Sequence, residues 1–201
     1  MKLILFDDGA GELSPLNDLR PAFDVRTGAW TAFERWAQLG LPPAGALVGS
    51  ADAALVAELH PKLAVNQPTA TGATLVNGRW PLAAQHVDTI AALEPGHALR
   101  QGGTLLAARV DEPSEAPLDV DAYTTTAYEA DLLERCWHVR SHRDACIAYD
   151  LGQMAPAKGV VVQEGARVAD SAVLDASSGA VVIAQDAIIG HHAVVLGPAY
   201  I

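Results

Sequence analysis

The sequence predicts an α/β domain with a mostly parallel sheet over residues 1–155, followed from residue 156 by the start of a parallel β-helix. Two observations predict the first part. Short apolar runs closed by Gly, Pro or Asp alternate with stretches of helical spacing, as when strands are joined by crossover helices. Half of the 201 residues are apolar, enough for a buried core without disulfides. The second part follows from an aliphatic residue at every sixth position near the C-terminus.

Residues 2–6 (Lys-Leu-Ile-Leu-Phe) read as a short buried strand, stopped by Asp7-Asp8. Residues 7–19, with Gly9, Gly11, Ser14, Pro15 and Asn17, read as a loop. Thr27 is the expected N-cap of a helix from Gly28 to Leu39, with Trp30, Phe33 and Trp36 as a core-facing stripe. Leu41-Pro42-Pro43 ends it. Residues 46–48 form the next strand, and Ser50 caps a helix over 51–59. Strands follow at 63–65 and 74–76. Pro81 opens a helix to about Leu93, which Glu94-Pro95-Gly96 stops. Residues 97–100 and 104–110 make a hairpin around Gln101-Gly102-Gly103. The acidic, Pro-containing stretch 111–119 reads as loop, and the last helix spans 131–149.

From residue 160 the texture changes. Val162, Val168 and Leu174 are six apart, and Ile183, Ile189, Val195 and Ile201 resume that spacing after a three-residue insertion. In a hexapeptide β-helix each such residue points to the axis from one face of a triangular coil. The stretch amounts to about two coils and ends in mid-coil, so the expectation is a chain cut from a longer protein or an end covered by a partner.

Charge and composition exclude several classes. The formal net charge of −11 argues against a nucleic-acid partner, which demands a basic footprint. The basic set is ten Arg and three Lys, a bias compatible with phosphate recognition. Two cysteines make no disulfide framework. The opening apolar run is too short for a signal peptide, and no stretch approaches the ~20 apolar residues of a membrane span. A cytoplasmic protein is expected.

Residues 13–36 carry Leu13-x-Pro15-Leu16-x3-Arg20-Pro21-x4-Arg26-x-Gly28-x5-Glu34-Arg35-Trp36, and Asn77-Gly78-Arg79 follows a strand. With the hexapeptide tail and its Asp175-Ala176-Ser177-Ser178-Gly179 segment, the chain resembles a bacterial GlmU-like family of sugar nucleotidyltransferases. These are related to the bifunctional UDP-N-acetylglucosamine pyrophosphorylase and glucosamine-1-phosphate acetyltransferase. The resemblance implies a nucleotide-diphospho-sugar transferase-like α/β domain joined to a left-handed β-helix. It also implies transfer of a nucleotide from a nucleoside triphosphate, UTP, to a sugar-1-phosphate, N-acetylglucosamine-1-phosphate, with pyrophosphate released. Mg²⁺ is the implied cofactor, and a homotrimer through the β-helix the implied assembly.

Carried over residue by residue, the resemblance implies a nucleotide site of Gly9, Gly11, Arg20, Arg26, Asn77, Gly78 and Arg79. Arg20 and Asp8 are the expected catalytic residues, and Asp7 and Asp8 the metal ligands. Arg20 is the first choice for a triphosphate contact and Arg26 the second; a salt bridge to Asp24 or Glu34 is the other reading of Arg26. Two departures stand out. Classical relatives carry a tighter Gly-x-Gly-x-Arg loop with a Pro-Lys pair, for which Arg20-Pro21 is the nearest stand-in. They also place a metal-binding Gly-Asp pair where Asn77-Gly78-Arg79 stands here. A non-catalytic nucleotide-sugar-binding or assembly module is therefore the alternative, and a fragment of a hexapeptide-repeat acyltransferase a third.

His138, His142 and Cys146 share a helix face, but the outer two are about 12 Å apart along the axis, too far for one ion. His191-His192 read as corner residues of the β-helix.

Overall fold

The computed structural model describes residues 1–112 and 122–201. Most of the segment read as an acidic loop, 111–119, lies outside the described residues. The chain divides into two compact units, Met1–Ser141 and His142–Ile201. The division falls inside a helix.

The first unit is built on a seven-stranded sheet. In chain order it contains β1 (Lys2–Phe6), α1 (Ala32–Gln38), β2 (Gly45–Leu47), α2 (Ala53–Leu59), β3 (Ala64–Val65), β4 (Ala73–Asn77), α3 (Val87–Ala91), β5 (His97–Gln101), β6 (Thr104–Arg109) and β7 (Thr124–Ala127). The strand order is β3-β2-β1-β4-β6-β5-β7. β1 runs parallel to β2 and β4, and β2 to β3, while β6 is antiparallel to β4 and β5, and β5 is parallel to β7. Only β6 is reversed, because it returns from β5 through the expected Gly102-Gly103 hairpin turn. The C-terminal ends of all other strands lie along one edge. The direction of winding switches between β1 and β4, where open α/β sheets bind ligands.

Alternation along the strands sorts the core into two faces. Leu3, Leu5, Val76 and Leu106 point to one face, where they meet Trp36 of α1, Val56 of α2 and Ile90 of α3. Ile4, Phe6, Leu75, Leu105 and Ala108 occupy the other, with Tyr123 packed against them.

Several expected boundaries differ. α1 starts at Ala32, not at Gly28, because Thr31 and Glu34 form a capping box: the Thr31 hydroxyl accepts from the Glu34 N–H, and the Glu34 carboxylate accepts from the Thr31 N–H at 2.7 Å. Thr27, the expected cap, is buried and accepts instead from the Arg35 guanidinium at 2.9 Å. Pro81 does not open a helix. Its carbonyl accepts from Arg35, and helical structure begins as a 3₁₀ turn at Ala83–His86 before α3. α2 is preceded by Asp52, not Ser50. β7 was not expected; its Thr124-Thr125-Thr126 run has β-branched residues but no apolar alternation. The last helix, α4 (His138–Met154), begins seven positions later than the expected 131, because residues before it run beside the 9–13 loop.

The second unit holds most of α4 and three short parallel sheets. β8 (Val160–Val162), β11 (Val181–Ile183) and β14 (Ala199–Tyr200) form one sheet in the order β14-β11-β8. β9 (Arg167–Val168) pairs with β12 (Ile188–Ile189), and β10 (Val173–Asp175) with β13 (Val194–Leu196). The chain visits the three sheets in turn and returns to the first. Val160 pairs with Val181, and Val181 with Ala199. The first return is longer by the insertion Ser177-Ser178-Gly179.

Val168, Leu174, Ile183, Ile189 and Val195 gather in one apolar cluster, as the sixfold spacing expects. Val162 is 47% exposed, although it is in register with the fully buried Ile183. It lies in the first coil, with no preceding strand to cover it. The opposite side of this sheet, with Val161, Val182 and Tyr200, packs with Ile147 and Leu151 of α4. This pairing is compatible with a β-helix.

Candidate functional site

At the switch point the end of β1 meets the end of β4. Asp8 follows β1, and its carboxylate accepts four hydrogen bonds. Oδ1 accepts from Arg79 Nε at 2.7 Å and from the Ala10 N–H at 3.1 Å. Oδ2 accepts from Arg79 Nη2 at 2.7 Å and from Asn77 Nδ2 at 2.9 Å. The backbone of Asp8 is open to solvent, while its side chain is 23% exposed and that of Arg79 only 3%. Burial raises the pKa of Asp8, but the hydrogen bonds from Arg79 and Asn77 and the charge of Arg79 outweigh it, so the carboxyl titrates below its ordinary value.

The partners are equally committed. Asn77 Nδ2 also donates to the Leu105 carbonyl, and Asn77 Oδ1 accepts from the Arg79 N–H, each at 2.9 Å. Arg79 Nη1 donates to the Leu133 carbonyl at 3.1 Å. Gly78 between them leaves no room for a side chain: a Cβ there would stand 3.0 Å from Phe23 and 3.1 Å from the Phe6 carbonyl. Gly11 has φ +85°, and a Cβ would meet the Leu133 carbonyl at 3.1 Å. The corner therefore ties β1, β4 and the segment near Leu133 together.

Asn77, Gly78 and Arg79 are buried supports whose polar groups are already satisfied, so they are not placed as nucleotide contacts. Asp8 is the acceptor for both Arg79 and Asn77. Gly11 packs against backbone. Sequence shows the polarity of Asn77-Gly78-Arg79 but not the carboxylate of Asp8 that Asn77 and Arg79 face.

Two adjoining cavities open beside this corner. The smaller, about 180 Å³, is lined by Asp7, Asp8, Gly9, Asn17, Arg20 and Asp52 among others. The larger, about 480 Å³, is lined by Arg20, Arg26 and Asp18 with Leu16, Leu19, Val25 and Val139. The larger is within the ~300–1,000 Å³ range of small-molecule sites. Arg20 borders both, and among the described residues its exposed guanidinium forms no hydrogen bond or ion pair. Arg26 is tied down: it donates to the Ala29 carbonyl and pairs with Glu34 at 3.1 Å. The Glu34 bridge, one of the two alternatives for Arg26, is the one formed. Asp7 orders the loop, accepting from the Gly9 N–H at 3.1 Å and the Ala22 N–H at 2.7 Å.

Asp52 and Asn17 went unnoticed in the sequence. Asp52 has a locatable signal: it follows β2, the strand next to β1, so its loop must reach the same edge. Asp24 was seen only as a partner for Arg26. It contacts His60 at 2.6 Å, and burial raises its pKa despite that hydrogen bond and the charge of His60.

Among the described residues no group of three or more His, Cys, Asp or Glu is arranged to hold a metal. Mg²⁺ bound by Asp7 and Asp8 together does not fit, because each carboxylate oxygen offers two lone pairs and all four of Asp8 are used. His138 Nδ1 lies 3.2 Å from the Leu132 carbonyl, and Cys146 is buried. His191 and His192 sit in the exposed turn between β12 and β13. Among the described residues no helix is long and apolar enough to cross a membrane.

A family model described as sugar nucleotidyl transferase matches residues 3–155. No curated protein matches the chain.

Proposed function

The chain belongs to the sugar nucleotidyl transferase family, and from that premise we propose that it joins a sugar-1-phosphate to a nucleoside triphosphate, UTP and N-acetylglucosamine-1-phosphate being the first pair to test. A phosphate oxygen of the sugar-1-phosphate attacks the α-phosphorus of the triphosphate. The bond from that phosphorus to the bridging oxygen breaks, and pyrophosphate leaves. The observation that carries the reading is Arg20, an exposed cation between two cavities at the switch point of the sheet, with no hydrogen bond or ion pair among the described residues although its charge reaches Asp24. A guanidinium there grips phosphate bidentately and offsets the negative charge that builds up during transfer. Gly9 is exposed at the smaller cavity, with its N–H held by Asp7. Arg26 joins only by giving up Glu34, which ranks it second. Because Asp8 is saturated, no step is assigned to Mg²⁺.

The saturated Asp8 also favours one other reading, a module that binds a nucleotide sugar without turnover. Pyrophosphate release from UTP and the sugar-1-phosphate separates the two. Release supports the transferase; UTP binding without release supports the module.

The second unit is proposed as the start of a left-handed β-helix that assembles as a homotrimer. Val173, Val194 and Leu196 support this. They flank the core residues Leu174 and Val195 and so point outward, where they are 52–64% exposed. The net charge of −11 disfavours a nucleic-acid partner, and the proposed location is the cytoplasm.

A further inference from the structure

We infer that the Arg79 guanidinium takes the place of a divalent cation beside Asp8, so that this carboxylate binds no metal and the positive charge at the β1–β4 corner is covalently built in. The inference rests on the transferase reading only in taking this corner as the place where a phosphate-bound cation would be sought.

Three observations carry it. The first is saturation. Asp8 receives four donors, two from Arg79, one from Asn77 and one from Ala10, and a carboxylate has about four lone-pair sites. A metal would have to displace at least one of them. The second is fixity. Arg79 is 2% exposed and also bonds the Leu133 carbonyl, so it cannot swing aside without leaving a buried charge. The third is the third partner. Where a metal site would need another anionic ligand, Asn77 contributes an amide whose two N–H groups point at Asp8 and at the Leu105 carbonyl. Its oxygen, the only atom able to ligate, already accepts from the Arg79 N–H. The donor set is therefore complementary to an anion that is already present, and not to a cation.

The consequence is chemical. Arg79 is a positioning residue: it fixes Asp8 and the loop carrying Gly9, and any cation that accompanies a triphosphate must be held by the nucleotide itself or by groups other than Asp8.

The test uses the full chain and Mn²⁺ alone, followed by water-proton relaxation. The expected result is no submillimolar Mn²⁺ site that depends on Asp8. A site that Asp8→Asn leaves unchanged lies elsewhere and agrees with the inference. A submillimolar site weakened tenfold or more by Asp8→Asn overturns it. Because that variant strands a buried arginine and could unfold, a wild-type measurement decides independently. The Arg79 Nε–H resonance is expected to be protected from exchange and neither shifted by Mg²⁺ nor broadened beyond distant resonances by Mn²⁺. Selective broadening or loss of protection overturns the inference. Neither readout requires UTP to bind, so failure of the transferase reading would be distinguishable from failure here.

Discussion

Breaking the Asp8–Arg79 bridge from one side should destabilise the first unit by about 3 kcal/mol. Removing one partner of a buried ion pair costs about 3–5 kcal/mol, because the other charge stays buried and unpaired. The lower end applies because the Asp8 side chain is 23% exposed and water can partly compensate. Asp8→Asn keeps the shape but leaves Arg79, 3% exposed in its side chain, with its charge uncompensated. Arg79→Met removes the bonds to Asp8 and Leu133 and leaves Asp8 with donors from Asn77 and Ala10 only. The double variant removes both charges, so it should cost little more than either single change. A coupling of about 2–3 kcal/mol follows, at the upper end for neighbouring residues. Urea denaturation followed by tryptophan fluorescence measures this, since all four tryptophans (Trp30, Trp36, Trp80 and Trp137) lie in the first unit. Single changes costing under about 1 kcal/mol, or effects additive within ~0.5 kcal/mol, would refute the claim that the corner is a lock.

The same bridge sets a pH dependence. Asp8 has a lowered folded-state pKa, so its contribution is present above the ordinary carboxylate value of 3.8 and is lost as pH falls through the lower folded value. The stability difference between wild type and Asp8→Asn, from urea midpoints across pH, should therefore be flat near neutrality and shrink below 3.8; a difference that grows on acidification contradicts the assignment. Arg20→Ala should weaken UTP binding by about 1.5–3 kcal/mol, the range for a charge-assisted hydrogen bond, with a smaller loss for Arg26→Ala because Glu34 already holds that side chain. Calorimetry showing unchanged affinity for Arg20→Ala would refute the phosphate role. For assembly, light scattering should give about three times the chain mass of 21.0 kDa, on closed cyclic symmetry, and Leu196→Glu should lower it; a wild-type monomer rules the trimer out.

Local pattern made the strands legible and the tail more so. β1 and β4 are nearly continuous apolar runs, because both faces of a parallel sheet are covered. The sixfold repeat located Val168, Leu174, Ile183, Ile189 and Val195, since a fixed period needs no knowledge of distant contacts, but it also marked Val162 and Ile201, which are 47% and 49% exposed, and passed over the buried Val181 and Val182. Helix starts were less legible. Thr27 and Thr31 are both plausible caps, and the choice was settled by tertiary structure, which recruits Thr27 to the buried Arg35. The site was partly legible. Arg20 and Arg26 do line one cavity. Asn77 and Arg79 looked like ligand contacts because a polar strand end usually faces solvent. Their hydrogen-bond partner in the structure, Asp8, is 71 positions away from Arg79 and cannot be inferred from spacing. The Asp24–His60 pair was missed for the same reason.

A structure of the full chain with a non-hydrolysable UTP analogue decides whether Arg20 holds the triphosphate. The triphosphate is expected in the cleft bordered by Arg20, with at least one phosphate oxygen about 3 Å from that guanidinium and the Asp8–Arg79 bridge intact. A triphosphate bound away from Arg20, or one seated only after Arg79 has released Asp8, would contradict this expectation.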